Sequence, residues 1–89
     1  MCRNIRTLFN FAPPATAEEV HAASLQFVRK IAGTTKPSKA NQVAFDEAVR
    51  DIEGTVHGLL GRLVTTAPPK DREVEARKAR DRAAKRFGN

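Results

Sequence analysis

The chain has one cysteine, no tryptophan and no tyrosine among its 89 residues, and its aromatic content is five phenylalanines. A lone Cys2 excludes an internal disulfide framework. No apolar run approaches the ~20 residues that a membrane-spanning helix needs, so no membrane partner is expected. The opening residues carry charge and lead into no long apolar stretch, unlike a secretory leader, which sets a cytoplasmic expectation. His-x-x-His and Cys-x-x-Cys metal spacings are missing, as is the glycine pattern of a phosphate loop. The sequence therefore names no catalytic residue, no metal and no cofactor, and an enzyme is not expected. So short a chain also has little capacity for a core, because it buries only roughly 60–65% of its unfolded surface.

What the chain does have is positive charge. Sixteen Lys and Arg stand against ten Asp and Glu, a net +6. Residues 70–89 hold eight of the basic side chains and four acids, while the long middle segment is near neutral. A basic tail on a neutral body suits a negatively charged partner, either nucleic acid, alone or in a ribonucleoprotein, or an acidic protein surface. The candidate contacts are Arg72, Arg77, Lys78, Arg80, Arg82, Lys85 and Arg86. A solvated helix kept soluble by its charge would look the same.

Prolines and capping residues divide the chain. Pro13-Pro14 closes an N-terminal docking segment over 1–14, and Thr16 with Glu19 forms a capping box that predicts a first helix over 17–32, ended by Gly33. Ser38 after Pro37 is the candidate N-cap of a second helix over 39–64. Thr65 to Pro69 breaks the chain, and Asp71 caps a basic third helix over 71–87. The expected fold is all-α in one domain: a small three-helix bundle, or a helical hairpin plus a basic C-terminal helix, with an ordered N-terminal segment. Ala12-Pro13-Pro14 and Ala67-Pro68-Pro69 read as one local solution used twice, prolines fixing the start of each following helix.

In the second helix, Phe45, Val49, Ile52, Val56, Leu59 and Leu63 recur at spacings of an a/d seam, which must face other helices. Helices 1 and 3 are the expected partners, with a homodimer or an adaptor surface through helix 2 as the alternative. Gly54, Gly58 and Gly61 lie on the opposite face, where each costs roughly 1 kcal/mol against alanine. Either another backbone approaches there, with Leu8-Phe9-Asn10-Phe11 as the candidate, or the stripe is a tolerant surface.

The reactive inventory is Cys2, His21 and His57, with Glu18 and Glu53 each one turn before a histidine. Arg3 and Arg6 beside Cys2 would lower its pKa, and loss of Met1 would leave an amine next to the thiol, so a thiol or metal site at Cys2 is a second alternative. A histidine in such positions is more often a surface or partly buried residue. The loop Gly33 to Asn41 carries Lys36 and Lys39 at the positive end of helix 2, where an anion is favoured.

MCRNIRTLFNF, PPAT at the first helix, TKPSKAN between helices, and LVTTAPP with DREVEA before a basic tail ending AAKRF resemble a small bacterial family catalogued as domain of unknown function 2277. The resemblance spans essentially the whole chain. It implies a bacterial cytosolic protein and brings no catalytic or binding residues, though it draws attention to the Cys2 segment and the TKPSKAN loop. The leading reading is a non-enzymatic binding module that sets its basic C-terminal helix, with Lys36 and Lys39, on nucleic acid phosphates.

Overall fold

The computed structural model describes residues 5–87. In chain order they form a two-residue strand β1 (Phe11–Ala12), helix α1 (Ala17–Ala32), a 3-10 turn at Lys39–Asn41, helix α2 (Gln42–Arg62), a second short strand β2 (Lys70–Asp71) and helix α3 (Arg72–Phe87). The fold is mostly α, and of the two expected architectures it is the hairpin. Helices α1 and α2 pack on each other, whereas α3 does not pack comparably on either.

Helix α1 starts where its first turn is satisfied by side chains. The Glu19 N–H donates to Thr16 Oγ1 at 3.1 Å, and Glu19 Oε1 accepts from the Thr16 N–H at 2.9 Å, so both halves of the capping box are closed. It stops at Gly33, whose φ of 73° lies in the left-handed region and whose N–H reaches the Arg29 carbonyl at 2.9 Å. Glu18 and Glu19 at one end, and Arg29 and Lys30 at the other, complement the helix dipole.

The residues buried among those described are Val20, Ser24 and Val28 along one stripe of α1 and Phe45 and Val49 on α2. Val28 packs with Phe45 and Val49, and Leu25, Ala48 and Ile52 close around that cluster. Ser24 is tolerated in the stripe because its hydroxyl donates to the Val20 carbonyl at 2.8 Å.

The second helix departs from expectation at both ends. Ser38 does not cap it: its hydroxyl accepts from Asn41 Nδ2 at 3.1 Å, residues 39–41 wind as a 3-10 turn, and α2 proper begins at Gln42. At the far end Leu63 is already extended (φ −67°, ψ 137°). The β-branched run Val64-Thr65-Thr66 that follows has low helix propensity.

Of the two helices expected to cover the a/d seam, α1 does so and α3 does not. Phe45 and Val49 are buried, Ile52 and Val56 are half-buried, and Leu59 and Leu63 stand exposed. Two physical causes combine. A 3.5-residue seam drifts by ~20° per heptad on a straight helix, and α2 with 21 residues overhangs the 16 residues of α1.

The glycine face is open. A Cβ built on Gly54 or Gly61 meets nothing within 4 Å, and one on Gly58 meets only the end of the Arg62 side chain at 3.7 Å. The N-terminal segment crosses the apolar flank of the hairpin, where Ile5 and Leu8 form a groove of about 340 Å³ with Phe27, Val56 and Leu60, and it meets the glycine stripe at its end only, where Phe9 and Phe11 share an open groove with Gly61. It was the apolar content of the segment that decided its docking, because the glycines offer no apolar side chains to cover.

The result is thin and extended. The radius of gyration is 15.7 Å and the shortest dimension 18 Å, whereas a compact chain of this length has a radius of about 12 Å. An open glycine stripe makes a direct prediction: Gly54→Ala and Gly61→Ala should each raise stability by about 0.5–1 kcal/mol in urea unfolding, since alanine restricts the unfolded chain and clashes with nothing. A loss of stability in both variants would mean that something packs on that face.

Candidate functional site

The basic helix is mounted on the hairpin through its first turn. Strands β1 and β2 run parallel, with Phe11 opposite Lys70 and Ala12 opposite Asp71, and the Lys70 N–H donates to the Asn10 carbonyl at 2.8 Å. Asn10 has a φ of 66°, a conformation asparagine tolerates better than most residues. From there its side-chain amide donates to the carbonyls of Pro68 at 3.1 Å and Ala67 at 3.4 Å. The two Ala-Pro-Pro segments thus lie side by side but out of phase, since Ala12 faces Asp71 and not Ala67.

Arg72 closes the mount. Its Nη1 and Nη2 donate to the two carboxylate oxygens of Glu19 at 2.8 and 2.7 Å, and its Nε donates to the Pro13 carbonyl at 2.8 Å. Asp71 caps α3 by accepting the Val74 N–H at 3.0 Å. Beneath this cluster the Phe11 ring carries Lys70 Nζ at 5.6 Å and the Arg72 guanidinium at 5.8 Å from its centroid, both within cation–π range. The hydrogen bonds from Arg72, and next the Thr16 N–H, pull the Glu19 pKa from its ordinary 4.5 down to about 2 against an opposing effect of burial. Glu19 in turn raises that of Arg72.

Arg72, expected among the phosphate contacts, is therefore engaged inside the protein. The rest of the set stands differently. Arg77, Lys78, Arg80, Arg82, Lys85 and Arg86 are all exposed, and over residues 76–87 these six basic side chains face a single acid, Asp81. At ~100° per residue, five of them, all but Arg80, fall on one half of the helix, and Ala76, Ala79 and Ala83 fall on the other. Lys78 also pairs with Glu75 one turn back at 3.3 Å.

Lys36 and Lys39 are exposed too, but the structure does not gather them with the mount. Their loop lies at the far end of the hairpin from Glu19, about 24 Å away along the 16 residues of α1. The loop is tied to itself: Thr34 Oγ1 donates to the Lys36 carbonyl at 2.9 Å, and Arg29 Nε to the Thr35 carbonyl at 3.1 Å.

The histidines separate. His21 Nδ1 lies 3.0 Å from Glu53 Oε2, a tie between α1 and α2, so Glu53 serves the opposite helix and not His57 one turn along. His57 is exposed and borders a second groove of about 350 Å³ with Phe9, Phe11, Leu60 and Gly61. Among the described residues no group of three His, Cys, Asp or Glu is placed to hold a metal ion. Cys2, and with it the thiol or metal alternative, lies outside the described residues. No described helix is long and apolar enough to cross a membrane.

Sequence reasoning missed the Glu19–Arg72 pair. Glu19 was legible as a capping residue, but a partner 53 positions away has no local signal. Compared with known proteins, the chain matches the family model described as "Uncharacterized conserved protein (DUF2277)" over residues 1–78, and it belongs to that family. Comparison with curated proteins and with solved structures returned no match.

Because the Glu19 pKa is depressed by folding, its stabilisation is complete above pH 4.5 and is lost as pH falls from there towards 2. Arg72→Ala should lower the melting temperature near neutral pH, and the gap to the unsubstituted protein should narrow between pH 4.5 and 2. Thermal melts by circular dichroism across that range measure it, and a gap that stays constant with pH would assign the loss to something other than the ion pair.

Proposed function

We propose that the protein is a non-enzymatic binding module that lays α3 on the phosphates of a nucleic acid. The observation that carries this reading is the asymmetry of α3. Its first turn is closed by the Asp71 cap and fastened to the hairpin by Arg72. Its remaining turns are exposed and carry six basic side chains against one acid. A helix packed for structural reasons would bury a stripe, and among the described side chains of this one none is buried, Arg72, Glu75 and Ala76 being partly covered.

The chemistry favours backbone contact over base reading. Arg and Lys side chains spread over half the circumference suit a line of phosphates, and the chain has no tyrosine or tryptophan on which bases would stack. Recognition is then electrostatic and tolerant of sequence. Lys36 and Lys39, at the far end of the hairpin, would extend such a footprint only along a duplex or a long single strand. An acidic protein surface is the competing partner for the same charges, and it differs in showing no dependence on polymer length.

Fluorescence anisotropy with a labelled duplex decides the matter. With four phosphates neutralised, affinity should fall about 100-fold between 50 and 200 mM salt. Lys78→Gln, Arg82→Gln and Lys85→Gln together should flatten the salt dependence by about one slope unit for each cation removed from the phosphates, with the helical signal retained. No binding at 50 mM salt, or binding unchanged in the triple variant, would sink the reading.

A further inference from the structure

We infer that α3 enters the major groove of a B-form DNA duplex and holds phosphates on both rims, so that duplex DNA is bound in preference to duplex RNA and single strands. This rests on the reading of α3 given above and narrows its partner to one class of nucleic acid. Two observations carry it: how the cations are set around the helix, and how clear of the rest of the chain they stand.

Counted at ~100° per residue from Arg77, Lys85 lies ~80° round the helix, Lys78 ~100°, Arg82 ~140° and Arg86 ~180°. Arg77 and Arg86 thus project from opposite sides, about 14 Å apart along the axis at ~1.5 Å per residue. A strand laid against one side of the helix reaches only one of the two. A groove reaches both, because a line of phosphates runs along each rim. Asp81 falls between Arg77 and Lys85, ~40° from each, so one acid stands among the five cations of this half.

Clearance favours the same placement. Every residue from Arg77 to Arg86 is exposed, the alanines included, so no side of these turns is buried against the described residues. They form a free cylinder ~15 Å long and, with side chains, ~10–12 Å across. The major groove of B-form DNA, ~12 Å wide and ~8.5 Å deep, admits such a cylinder, and the ~6 Å minor groove does not. The major groove of an A-form RNA duplex is deep and too narrow for it. Arg72 and the strand pairing keep the first turn against the hairpin, outside the groove. Arg80, ~60° beyond Arg77 on the other side, points away from the DNA.

Competition for the whole chain bound to a labelled DNA duplex of about 20 base pairs, read by fluorescence anisotropy at 100 mM salt, tests the placement. An RNA duplex of equal length carries the same two charges per base pair, so contact through charge alone would let it compete as well as DNA. The unlabelled DNA duplex should instead compete about 10-fold better than either the RNA duplex or the single strand. Arg77→Gln and Arg86→Gln, on opposite sides of the helix, should each weaken DNA binding and lower the salt slope by about one, with the helical circular dichroism retained. Arg80→Gln should leave the slope unchanged. Equal competition by the RNA duplex, or a slope lowered by only one of Arg77→Gln and Arg86→Gln, overturns the groove placement and leaves phosphate binding by α3 standing. No binding to the labelled duplex overturns both.

Discussion

One guanidinium fixes how the two parts of this protein are joined. Arg72 binds both oxygens of Glu19 and the Pro13 carbonyl, so it ties the first turn of α3 to the first turn of α1 and to the chain just before α1. Exposed ion pairs contribute little as a rule, because ordering two long side chains cancels most of the attraction. This pair escapes part of that cost. Glu19 is already oriented by Thr16 through the capping box, and Arg72 is oriented by the strand pairing and the Asp71 cap just before it. Both ends are set before they meet, and the pairing is bidentate and only about one-third exposed on each side. Remove it, and the orientation of α3 rests on two strands of two residues each and on the amide of Asn10.

That dependence follows from how little core there is. The hairpin buries Val20, Val28, Phe45 and Val49, and α3 adds no buried hydrophobic residue among those described. Polar fastenings carry what packing does not: Asn10 to the Pro68 carbonyl, His21 to Glu53, Arg72 to Glu19. They are directional, so they hold an orientation well. They are weak for the same reason that they are exposed. A chain held this way leaves a large accessible surface for its mass, 7242 Å² for 9.8 kDa.

Local signals in the sequence were reliable where the physics is local. The Thr16–Glu19 capping box, the Asp71 cap and the glycine stop at Gly33 each depend on atoms within four residues, and all three are found in the structure. The mostly helical fold follows from them. What could not be read is long-range. The a/d seam of α2 announced that helices would face it, but not that α1 would cover only half and α3 none. Whether Glu53 would serve His57 or His21 depended on which flank of α2 turned towards α1. The glycine stripe was misleading, since a costly local pattern suggested a close neighbour where there is open space. Of the candidate site residues, Arg72 was counted with its basic neighbours because charge alone cannot distinguish a fastening from a binding residue.

The same distinction explains why α3 can be a helix with no described hydrophobic residue buried on it. Sixteen residues are barely enough for an isolated helix in water. Its composition compensates in part: Ala, Arg, Lys and Glu are strong helix formers, Asp71 closes the first turn, Glu73 and Glu75 sit near the positive end, and Lys85 and Arg86 near the negative end. Against this stand six basic side chains with one acid among them beyond the first turn, and like charges one turn apart oppose helix formation by a few tenths of a kcal/mol each. That repulsion is relieved by any anionic polymer laid along the helix. Under the reading proposed above, phosphate contacts would therefore stabilise the outer turns as they form, while the Arg72 end stays fixed throughout. Anchoring one end reduces the entropy lost on ordering the other, so a helix mounted this way binds from a better starting point than the same basic segment on a free tail.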